Sequence, residues 1–370
     1  MTPADWSRLM RRALALAEQG RYGASPNPCV GAVVVAGNGE IVGEGAHRRF
    51  GGPHAEVEAL LAAGERARGG AIVVTLEPCS HHGKTPPCVE AIIAAGVTTV
   101  VAGTRDPNPI VNGAGVAALR EQGIGVIEGV EEVACRDLIR RFIHWKRTGM
   151  PWVTLKMGMS ADGKLASRGG RAQRITGAAA RRAAYALREE HDAVLVGIGT
   201  VLADNPRLGR HLGLNPEPHV RRVVLDSRLR TPPDAALLAA DPGSAVICCC
   251  PSADVARREA LARAGATVVE VAPDSDGRCD PAAVLERLSA AGVGSVLVEG
   301  GGEVHFSFLR AGLAREVVAF VAPLLLGGRD AVPAVGGAGF AGPHAGARLH
   351  FRSVDRLAED VMITAEVVGV

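Results

Sequence analysis

Several features that mark other protein classes are scarce or missing in this chain of 370 residues. Aromatic residues make up only 3% of it, so Val, Leu, Ile and Ala must fill the hydrophobic cores. The formal net charge of +2 gives no reason to expect a polyanionic partner or a charged membrane surface. No apolar run is long enough to cross a bilayer, and the first residues lack the apolar stretch of a signal peptide. A cytoplasmic protein without membrane attachment is the default expectation.

The eight cysteines do not have the pattern of a disulfide-stabilised protein. Their spacings are irregular, and disulfide frameworks belong mainly to short secreted chains. Three consecutive cysteines, Cys248–Cys250, lie on a predicted strand, where neighbouring side chains point to opposite faces. They therefore cannot bind one metal ion together, and we interpret them as small core residues.

The length of the chain predicts about two domains. The segment 148–151 contains Gly and Pro and marks a boundary between residues 1–147 and 148–370. Helices and strands alternate, which predicts α/β domains, and the first part has the pattern of a three-layer structure around a sheet. No internal repeat relates the two parts. In the second part we predict a loop over 199–206 and another over the Gly- and Pro-rich residues 327–346.

A cluster of potential metal ligands occupies residues 54–88. One imidazole and two thiols, from His54, Cys79 and Cys88, suit tetrahedral zinc. Three protein ligands leave the fourth position open for water, which is the arrangement of catalytic zinc sites. Glu56 lies two residues after His54 and is placed to move protons. His-x-Glu followed by Pro-Cys is typical of nucleobase deaminases.

The spacing of the two cysteines departs from the usual C-x-x-C, because eight residues separate Cys79 from Cys88. This polar insert contains one Gly and two Pro, and we predict a loop that adds substrate contacts beside the metal. A closed structural zinc site, or two unrelated buried thiols, is the alternative interpretation. In the closed site, His81 or His82 would supply the fourth ligand.

Several further segments allow both a functional and a purely structural interpretation. Asn27, at the entry of an apolar strand, could read a donor and an acceptor on a heterocycle, or could only form a turn. The loop 106–109 could face a substrate or could be a Pro-rich turn. Gly300–Gly302 joins a strand to a helix, as in phosphate-binding turns, although it could also be only a tight turn. No G-x-G-x-x-G motif supports a Rossmann fold. A basic run is interpreted as a solvated face or an interface: Arg140, Arg141, Lys146 and Arg147.

The whole chain resembles the bifunctional deaminase–reductase family of riboflavin biosynthesis. The matching stretches are residues 27–31, 53–57, 75–88, 106–109, 147–149, 162–163, 199–204 and 298–301. The resemblance implies a cytidine-deaminase-like three-layer α/β/α domain with one zinc ion per site. It also implies a second, dihydrofolate-reductase-like α/β domain that uses NADPH.

The resemblance further implies two consecutive reactions on phosphoribosylaminopyrimidines. The first is hydrolytic deamination of 2,5-diamino-6-(5-phosphoribosylamino)pyrimidin-4(3H)-one. The second is reduction of the ribose of 5-amino-6-(5-phosphoribosylamino)uracil to ribityl by NADPH. Small-molecule substrates, no nucleic acid and a homo-oligomeric state are expected on the same ground.

Residue roles also follow from the resemblance. Glu56 would be the catalytic proton shuttle, and zinc would be bound by His54, Cys79 and Cys88. The implied substrate contacts are Asn27, His47, His81 and Lys84 in the first domain and Arg188, Leu208 and Glu299 in the second. The implied cofactor contacts are Gly158, Arg174, Thr200, Asp204, Ser227, Gly301, Gly302, Glu303, Val304, His305, Phe306 and Ser307.

The second domain departs from the family pattern at three places. Ala172 stands where a substrate-contacting Ser is usual, and Arg174 stands where a cofactor-contacting Trp is usual. The stretch 208–211 lacks the usual Thr, and its Arg is offset by one position. One alternative is therefore an active deaminase with a silenced or redirected reductase. Another is a zinc-stabilised nucleic-acid-binding module, against which the near-neutral charge and the lack of interleaved basic and aromatic residues argue.

Overall fold

A computed structural model describes residues 1–82, 86–108, 112–168, 174–217, 219–240 and 243–369. The chain divides into two compact units, Met1–Gly149 and Met150–Val370, which we call unit 1 and unit 2. Within the described residues, no helix combines the length and the apolar character that a bilayer-spanning segment needs.

Unit 1 is built on a five-stranded sheet with the strand order β2-β1-β3-β4-β5. The β2–β1 and β1–β3 pairs are antiparallel, whereas β3–β4 and β4–β5 are parallel. Its strands are β1 Gly31–Val35, β2 Ile41–Ala46, β3 Ala71–Leu76, β4 Thr99–Thr104 and β5 Gly125–Glu128. Its helices are α1 Pro3–Ala17, α2 Ala55–Ala63, α3 Cys88–Ala94, α4 Ala114–Glu121, α5 Glu132–Leu138 and α6 Arg140–Thr148, with 3-10 turns at Glu18–Gly20 and Gly64–Ala67.

Side chains that alternate between the two faces of the sheet pack against helices on both sides, which gives unit 1 its three layers. Ala32 and Val34 of β1 belong to the apolar cluster that includes residues of α2, α3 and α4. Their neighbours Val33 and Val35 belong to the opposite cluster, with residues of α1 and α5. Successive strand residues point to opposite faces, so one strand supplies both cores. The predicted three-layer α/β/α fold is confirmed.

Local sequence signals set several of the helix ends in unit 1. Thr2 caps α1 in a reciprocal capping box with Asp5, and Pro3 occupies the first turn.

The helical segment predicted over 131–148 is divided at Ile139, whose φ of −107° and ψ of 20° separate α5 from α6.

Unit 2 contains a nine-stranded sheet with the order β11-β10-β9-β8-β12-β6-β13-β16-β15. All pairs from β11 to β13 are parallel, and β16 and β15 are added antiparallel at one edge. The strands are β6 Trp152–Ser160, β7 Lys164–Ala166, β8 Ala193–Gly197, β9 Arg221–Leu225, β10 Ala245–Cys249, β11 Thr267–Glu270, β12 Ser295–Val298, β13 Glu316–Ala322, β14 Val332–Pro333, β15 Arg348–Leu357 and β16 Asp360–Gly369. The helices are α7 Ala178–Glu190, α8 Ile198–Asp204, α9 Ala236–Ala239, α10 Val255–Arg263, α11 Pro281–Ala290 and α12 Gly302–Arg310, and β7 pairs with β14 in a small separate sheet.

The consecutive cysteines of unit 2 are core residues, as predicted. Cys248 and Cys250 pack in the cluster that includes α11 and α12, whereas Cys249 packs in the cluster on the other side of the sheet. All three are buried. Burial raises the pKa of the Cys248 thiol to about 12, which makes it unreactive near neutral pH.

The structure differs from the sequence prediction in two regions of unit 2. The predicted loop over 199–206 is wrong, because Ile198–Asp204 forms α8, which buries Ile198 and Val201 and ends at Asn205 in the left-handed region. The strands β7, β13, β14, β15 and β16 were not predicted, and the short strand β14 lies within the loop predicted over 327–346. Most side chains of β15 are exposed, so its sequence lacks the apolar pattern of a buried strand, and pairing with β16 holds it.

Candidate active sites

Three potential metal ligands from distant parts of unit 1 meet at one point. His54 immediately precedes α2, Cys79 follows β3, and Cys88 is the first residue of α3. The Nδ1 atom of His54 lies 3.1 Å from Sγ of Cys88 and 3.6 Å from Sγ of Cys79. The three ligand atoms all lie within 4.8 Å of one another. This separation allows one ion to contact all three.

The chemistry of these donors fits zinc. Zinc binds thiolates and neutral imidazole nitrogens, usually in a tetrahedral arrangement. The Cys88 side chain and the backbone N–H of Cys88, at 3.3 Å, both donate to Sγ of Cys79 and lower the pKa of the Cys79 thiol. The thiolate form that binds metal is therefore favoured at Cys79, whereas donation to Cys79 and burial raise the pKa of the Cys88 thiol.

The alternative of a closed site with a fourth protein ligand finds no support in the described part of the chain. His81 and His82 are exposed, and neither belongs to the cluster of His54, Cys79 and Cys88. His82 instead lies 4.0 Å from Glu90.

Glu56 lies in the first turn of α2 and is only 4% exposed. Burial raises the pKa of its carboxyl group, although the nearby His54 opposes this effect. A carboxyl group with a raised pKa can both accept and return a proton near neutral pH, as general acid–base catalysis requires.

The metal cluster opens into a pocket of about 290 Å³. Asn27, His47 and His81 line it together with Glu56, so the structure brings these four predicted residues together. Lys84, the other substrate contact that the resemblance implies in this unit, lies outside the described residues.

Hydrogen bonds define the orientation of two polar side chains in this pocket. Nδ1 of His47 donates to the Pro53 carbonyl at 2.9 Å, which leaves Nε2 to accept from Nδ2 of Asn27 at 3.1 Å. Burial lowers the pKa of His47, so this imidazole is neutral at pH 7. The Asn27 amide keeps its oxygen as an acceptor for a ligand N–H.

Sequence reasoning missed some of the residues that line this pocket. Asp106 and Asn108 come from the loop after β4, which the sequence left open as either a substrate-facing loop or a turn. Phe142 and Lys146 come from α6. Lys146 belongs to the basic run that we interpreted as a solvated face or an interface, and only its helical position relative to the sheet brings it to the pocket.

Unit 2 contains a larger pocket, of about 1400 Å³, at the carboxyl ends of its parallel strands. Ligands of open α/β sheets bind at this edge. The predicted residues that line it are Gly158, Arg174, Arg188, Thr200, Asp204, Ser227, Glu299, Gly301, Gly302, Glu303, Val304, His305 and Ser307. Two predicted residues do not line it: the Leu208 side chain packs in the core that includes Ile198 and Val201, and Phe306 is buried against Phe340.

The turn before α12 is tightly packed. Gly301 has a φ of 67°, which side-chain-bearing residues rarely adopt. A Cβ atom at Gly302 would lie 2.3 Å from the carbonyl oxygen of Pro333. Glycine is therefore required here by packing, while the turn still presents the backbone N–H groups of a helix start to the pocket.

A group of three largely buried charges lies at the end of β12. Glu299 pairs with Arg188, with Nη2 and Oε2 2.9 Å apart, and with Lys156, whose Nζ lies 3.3 Å away. Burial alone would raise the pKa of Glu299, but Lys156 and Arg188 outweigh it and lower the pKa to about 2. Sequence reasoning missed Lys156, although a single Lys in the apolar strand β6 was a detectable signal.

The stability of unit 2 is expected to depend on pH through this carboxylate. Because its pKa falls from 4.5 to about 2 on folding, ionised Glu299 stabilises the folded state fully above about pH 4.5. This contribution is lost as the pH falls from 4.5 towards 2. We therefore expect the difference in guanidinium denaturation midpoint between the wild type and Glu299→Gln to shrink over this range. A difference that is constant from pH 7 to pH 2 would contradict the assignment.

The residues that depart from the family pattern in the second domain lie in different places relative to the large pocket. Ala172 lies outside the described residues, and Arg174 lines the large pocket. The displaced Arg210 does not line that pocket. Its guanidinium instead donates to four backbone carbonyls, those of Arg188, His191, Glu217 and His219.

Comparison with known proteins accounts for both pockets. Residues 4–104 match the cytidine and deoxycytidylate deaminase zinc-binding region, and residues 151–363 match the RibD C-terminal domain. The riboflavin biosynthesis protein RibD of Actinobacillus pleuropneumoniae is 39% identical over 369 residues, which cover 100% of this chain and 96% of that protein. The chain belongs to the RibD family.

Other RibD proteins show the same agreement along most of the chain. RibD of Escherichia coli (strain K12) is 41% identical over 331 residues, which cover 86% of this chain and 88% of that protein. The structure of Acinetobacter baumannii RibD, form 1, superimposes with a TM-score of 0.89 at 36% identity and covers 100% of both chains. A Thermotoga maritima structure, described as a diaminohydroxyphosphoribosylaminopyrimidine deaminase/5-amino-6-(5-phosphoribosylamino)uracil reductase, has a TM-score of 0.84 at 34% identity over 99% of both chains.

As a RibD protein, the chain is a bifunctional deaminase and reductase of riboflavin biosynthesis that acts on small molecules. Its RibD deaminase domain is zinc-dependent and its RibD reductase domain uses NADPH. The predicted fold class, a cytidine-deaminase-like domain followed by a reductase domain, is confirmed. A silenced reductase or a nucleic-acid-binding module is not favoured.

Proposed function

We propose that this RibD protein deaminates 2,5-diamino-6-(5-phosphoribosylamino)pyrimidin-4(3H)-one in unit 1 and reduces the ribose of 5-amino-6-(5-phosphoribosylamino)uracil in unit 2. The observation that carries the proposal is the convergence of His54, Cys79 and Cys88, with His54 and Cys79 lining the same pocket as the buried Glu56. The activities named for the Thermotoga maritima relative support the choice of substrates.

In unit 1, His54, Cys79 and Cys88 would hold the zinc ion, and Glu56 moves protons. When bound, zinc supplies a Lewis acid that lowers the pKa of water towards neutrality. Glu56 accepts a proton from the attacking water. It then returns protons to the ring nitrogen and to the departing ammonia, which its raised pKa allows.

The remaining polar groups of the pocket orient the pyrimidine. The Asn27 amide oxygen accepts from a ring N–H, and neutral His47 holds the amide in place through the Asn27–His47 hydrogen bond. His81, Asp106 and Asn108 complete the polar lining. Lys84, which stands between Cys79 and Cys88 in the sequence, is proposed as the partner of the substrate phosphate, because the point charge of an ammonium group suits that role.

In unit 2, NADPH would be held by the Gly301–Ser307 segment at the N-terminus of α12. Thr200 and Asp204 of α8 and Ser227 after β9 line the same pocket and would contact it. When bound, NADPH supplies the hydride. Lys156 and Arg188 donate hydrogen bonds to the opened ribose and polarise its carbonyl, and Glu299 holds both cations in place. Gly158, Arg174 and the other predicted residues that line this pocket keep their roles in the proposal, whereas Leu208 and Phe306 do not.

A homo-oligomer is also proposed. Strand β15 lies at the edge of the unit 2 sheet and exposes Leu349, Phe351 and Val354 to solvent. An apolar edge of this kind is typical of surfaces that become covered by another chain. Sedimentation analysis of the purified protein tests this point.

The metal assignment predicts a selective loss in Cys88→Ser. We expect this variant to lose bound zinc and ammonia release together, while NADPH consumption on the deaminated substrate is retained. Metal analysis and both assays on the same sample check this result. Cys135→Ser is the control, because Cys135 is a buried thiol of unit 1 outside the cluster. Full zinc content in Cys88→Ser would contradict the assignment.

The overall function is tested by a coupled assay on the wild type. Ammonia release from the diaminopyrimidine should precede NADPH consumption, and NADPH consumption should require the deaminated product. If NADPH is not consumed while ammonia is released, the proposed reduction in unit 2 is wrong. If no ammonia is released by the zinc-loaded protein, the proposed deamination is wrong.

A further inference from the structure

Glu77 is a buried carboxylate at the end of β3, and it is only 3% exposed. Its two oxygens accept four backbone hydrogen bonds. Oε2 accepts from Asp106 at 3.1 Å and from Gly113 at 2.9 Å, and Oε1 accepts from Gly115 at 3.0 Å and from Val116 at 3.2 Å. Hydrogen bonds to an ionised acceptor are about twice as strong as neutral ones, so this is a firm attachment.

The four donors lie at both ends of one segment, the connection from β4 to α4. Asp106 begins this connection, and Gly113 to Val116 form the start of α4. The packing is equally close, because a Cβ atom at Gly115 would lie 1.9 Å from the carbonyl oxygen of Pro78. Through these hydrogen bonds, Glu77 holds both ends of the connection against the chain segment that contains the zinc ligand Cys79.

The same connection presents two side chains to the deaminase pocket. Asp106 and Asn108 both line it, and the backbone N–H of Asn108 donates to Oδ1 of Asp106 at 2.8 Å. The local turn fixes Asn108 relative to Asp106. The attachment to Glu77 fixes that turn relative to the pocket.

We propose that Glu77 is a positioning residue of the deaminase reaction. Its carboxylate holds Asp106 and Asn108 at the distance from the zinc cluster that the pyrimidine requires. The inference rests on the proposed deaminase function. A neutral amide cannot replace the carboxylate, because one oxygen serves fewer N–H groups and the NH₂ group would face backbone donors.

The test compares Glu77→Gln with the wild type in ammonia release from the diaminopyrimidine, together with zinc content. We expect KM to rise by about tenfold or more, with one zinc per chain retained and a smaller change in kcat. Glu44→Gln is the matched control. It removes a carboxylate from the same unit, but Glu44 pairs with Arg12 of α1 and does not line the pocket.

A double-mutant cycle with Asn108→Ala distinguishes positioning from an independent contact. If Glu77 acts through the connection, Asn108→Ala alone raises KM, and adding Glu77→Gln raises it little further. An unchanged KM in Glu77→Gln would overturn the proposal, as would effects that multiply in the double variant. Loss of zinc or of the folded state in Glu77→Gln would also overturn it, in favour of a structural role. A wild type that releases no ammonia would instead refute the proposed function itself.

Discussion

Replacing Glu56 by Gln is expected to lower the rate of ammonia release by at least about a hundredfold, which is the lower range for loss of a general acid–base group. The amide keeps the size of the side chain but cannot accept and return a proton. Glu56 is buried beside the zinc cluster, so bulk water cannot easily take over this role. The measurement is kcat for ammonia release from the diaminopyrimidine, with zinc content determined on the same sample.

The control for this experiment is Glu58→Gln on the same helix. Glu58 accepts from the backbone N–H of Ala46 at 3.2 Å and pairs with Arg48, and it does not line the pocket. The same chemical change two residues away should therefore leave kcat close to that of the wild type. A wild-type rate in Glu56→Gln would remove this residue from the mechanism.

Replacing Glu299 by Gln is expected to destabilise unit 2 by about 3–5 kcal/mol, the usual cost of breaking a buried charge pair. The substitution leaves the ammonium of Lys156 and the guanidinium of Arg188 close together in a buried site without a counter-charge. NADPH consumption should fall sharply, because Lys156 and Arg188 both lose the carboxylate to which they donate hydrogen bonds. Denaturant unfolding of the full chain and the NADPH assay measure the two effects.

Glu366→Gln separates this effect from the general loss of a carboxylate. Glu366 pairs with Arg352 at 3.4 Å, and both side chains are substantially exposed. Such a surface pair contributes about 0–1 kcal/mol, so its loss should change the unfolding midpoint little. Equal destabilisation by the two substitutions would show that the buried charge group does not stabilise unit 2 as inferred. Ammonia release should remain in both variants.

The sequence could predict which residues bind the metal because the chemistry of zinc ligands is restrictive. A zinc site needs N and S donors, and His54, Cys79 and Cys88 occur with Glu56 in a short pattern that few other functions use. The three-layer fold of unit 1 was also predictable, because buried strands and amphipathic helices alternate along it. In unit 2, the apolar strands were evident, but α8 was mistaken for a loop. Its seven residues form only about two turns and bury two side chains, which is too short a pattern to show a helical period.

Other features were decided only by tertiary structure. Lys146 reaches the deaminase pocket because α6 packs beside it, and Asp106 and Asn108 reach it because Glu77 holds their loop. Likewise, Lys156 meets Glu299 because β6 and β12 are neighbours in the sheet, although 143 positions separate the two residues in the chain.

The sequence by itself therefore determined the α/β architecture and predicted the donor set and the proton-transfer residue, since each depends on residue types and local spacing. Tertiary structure alone decided which charged and polar side chains surround these groups. The physical reason is that charge pairing and pocket lining depend on distances across the fold, and strand order and helix packing set those distances.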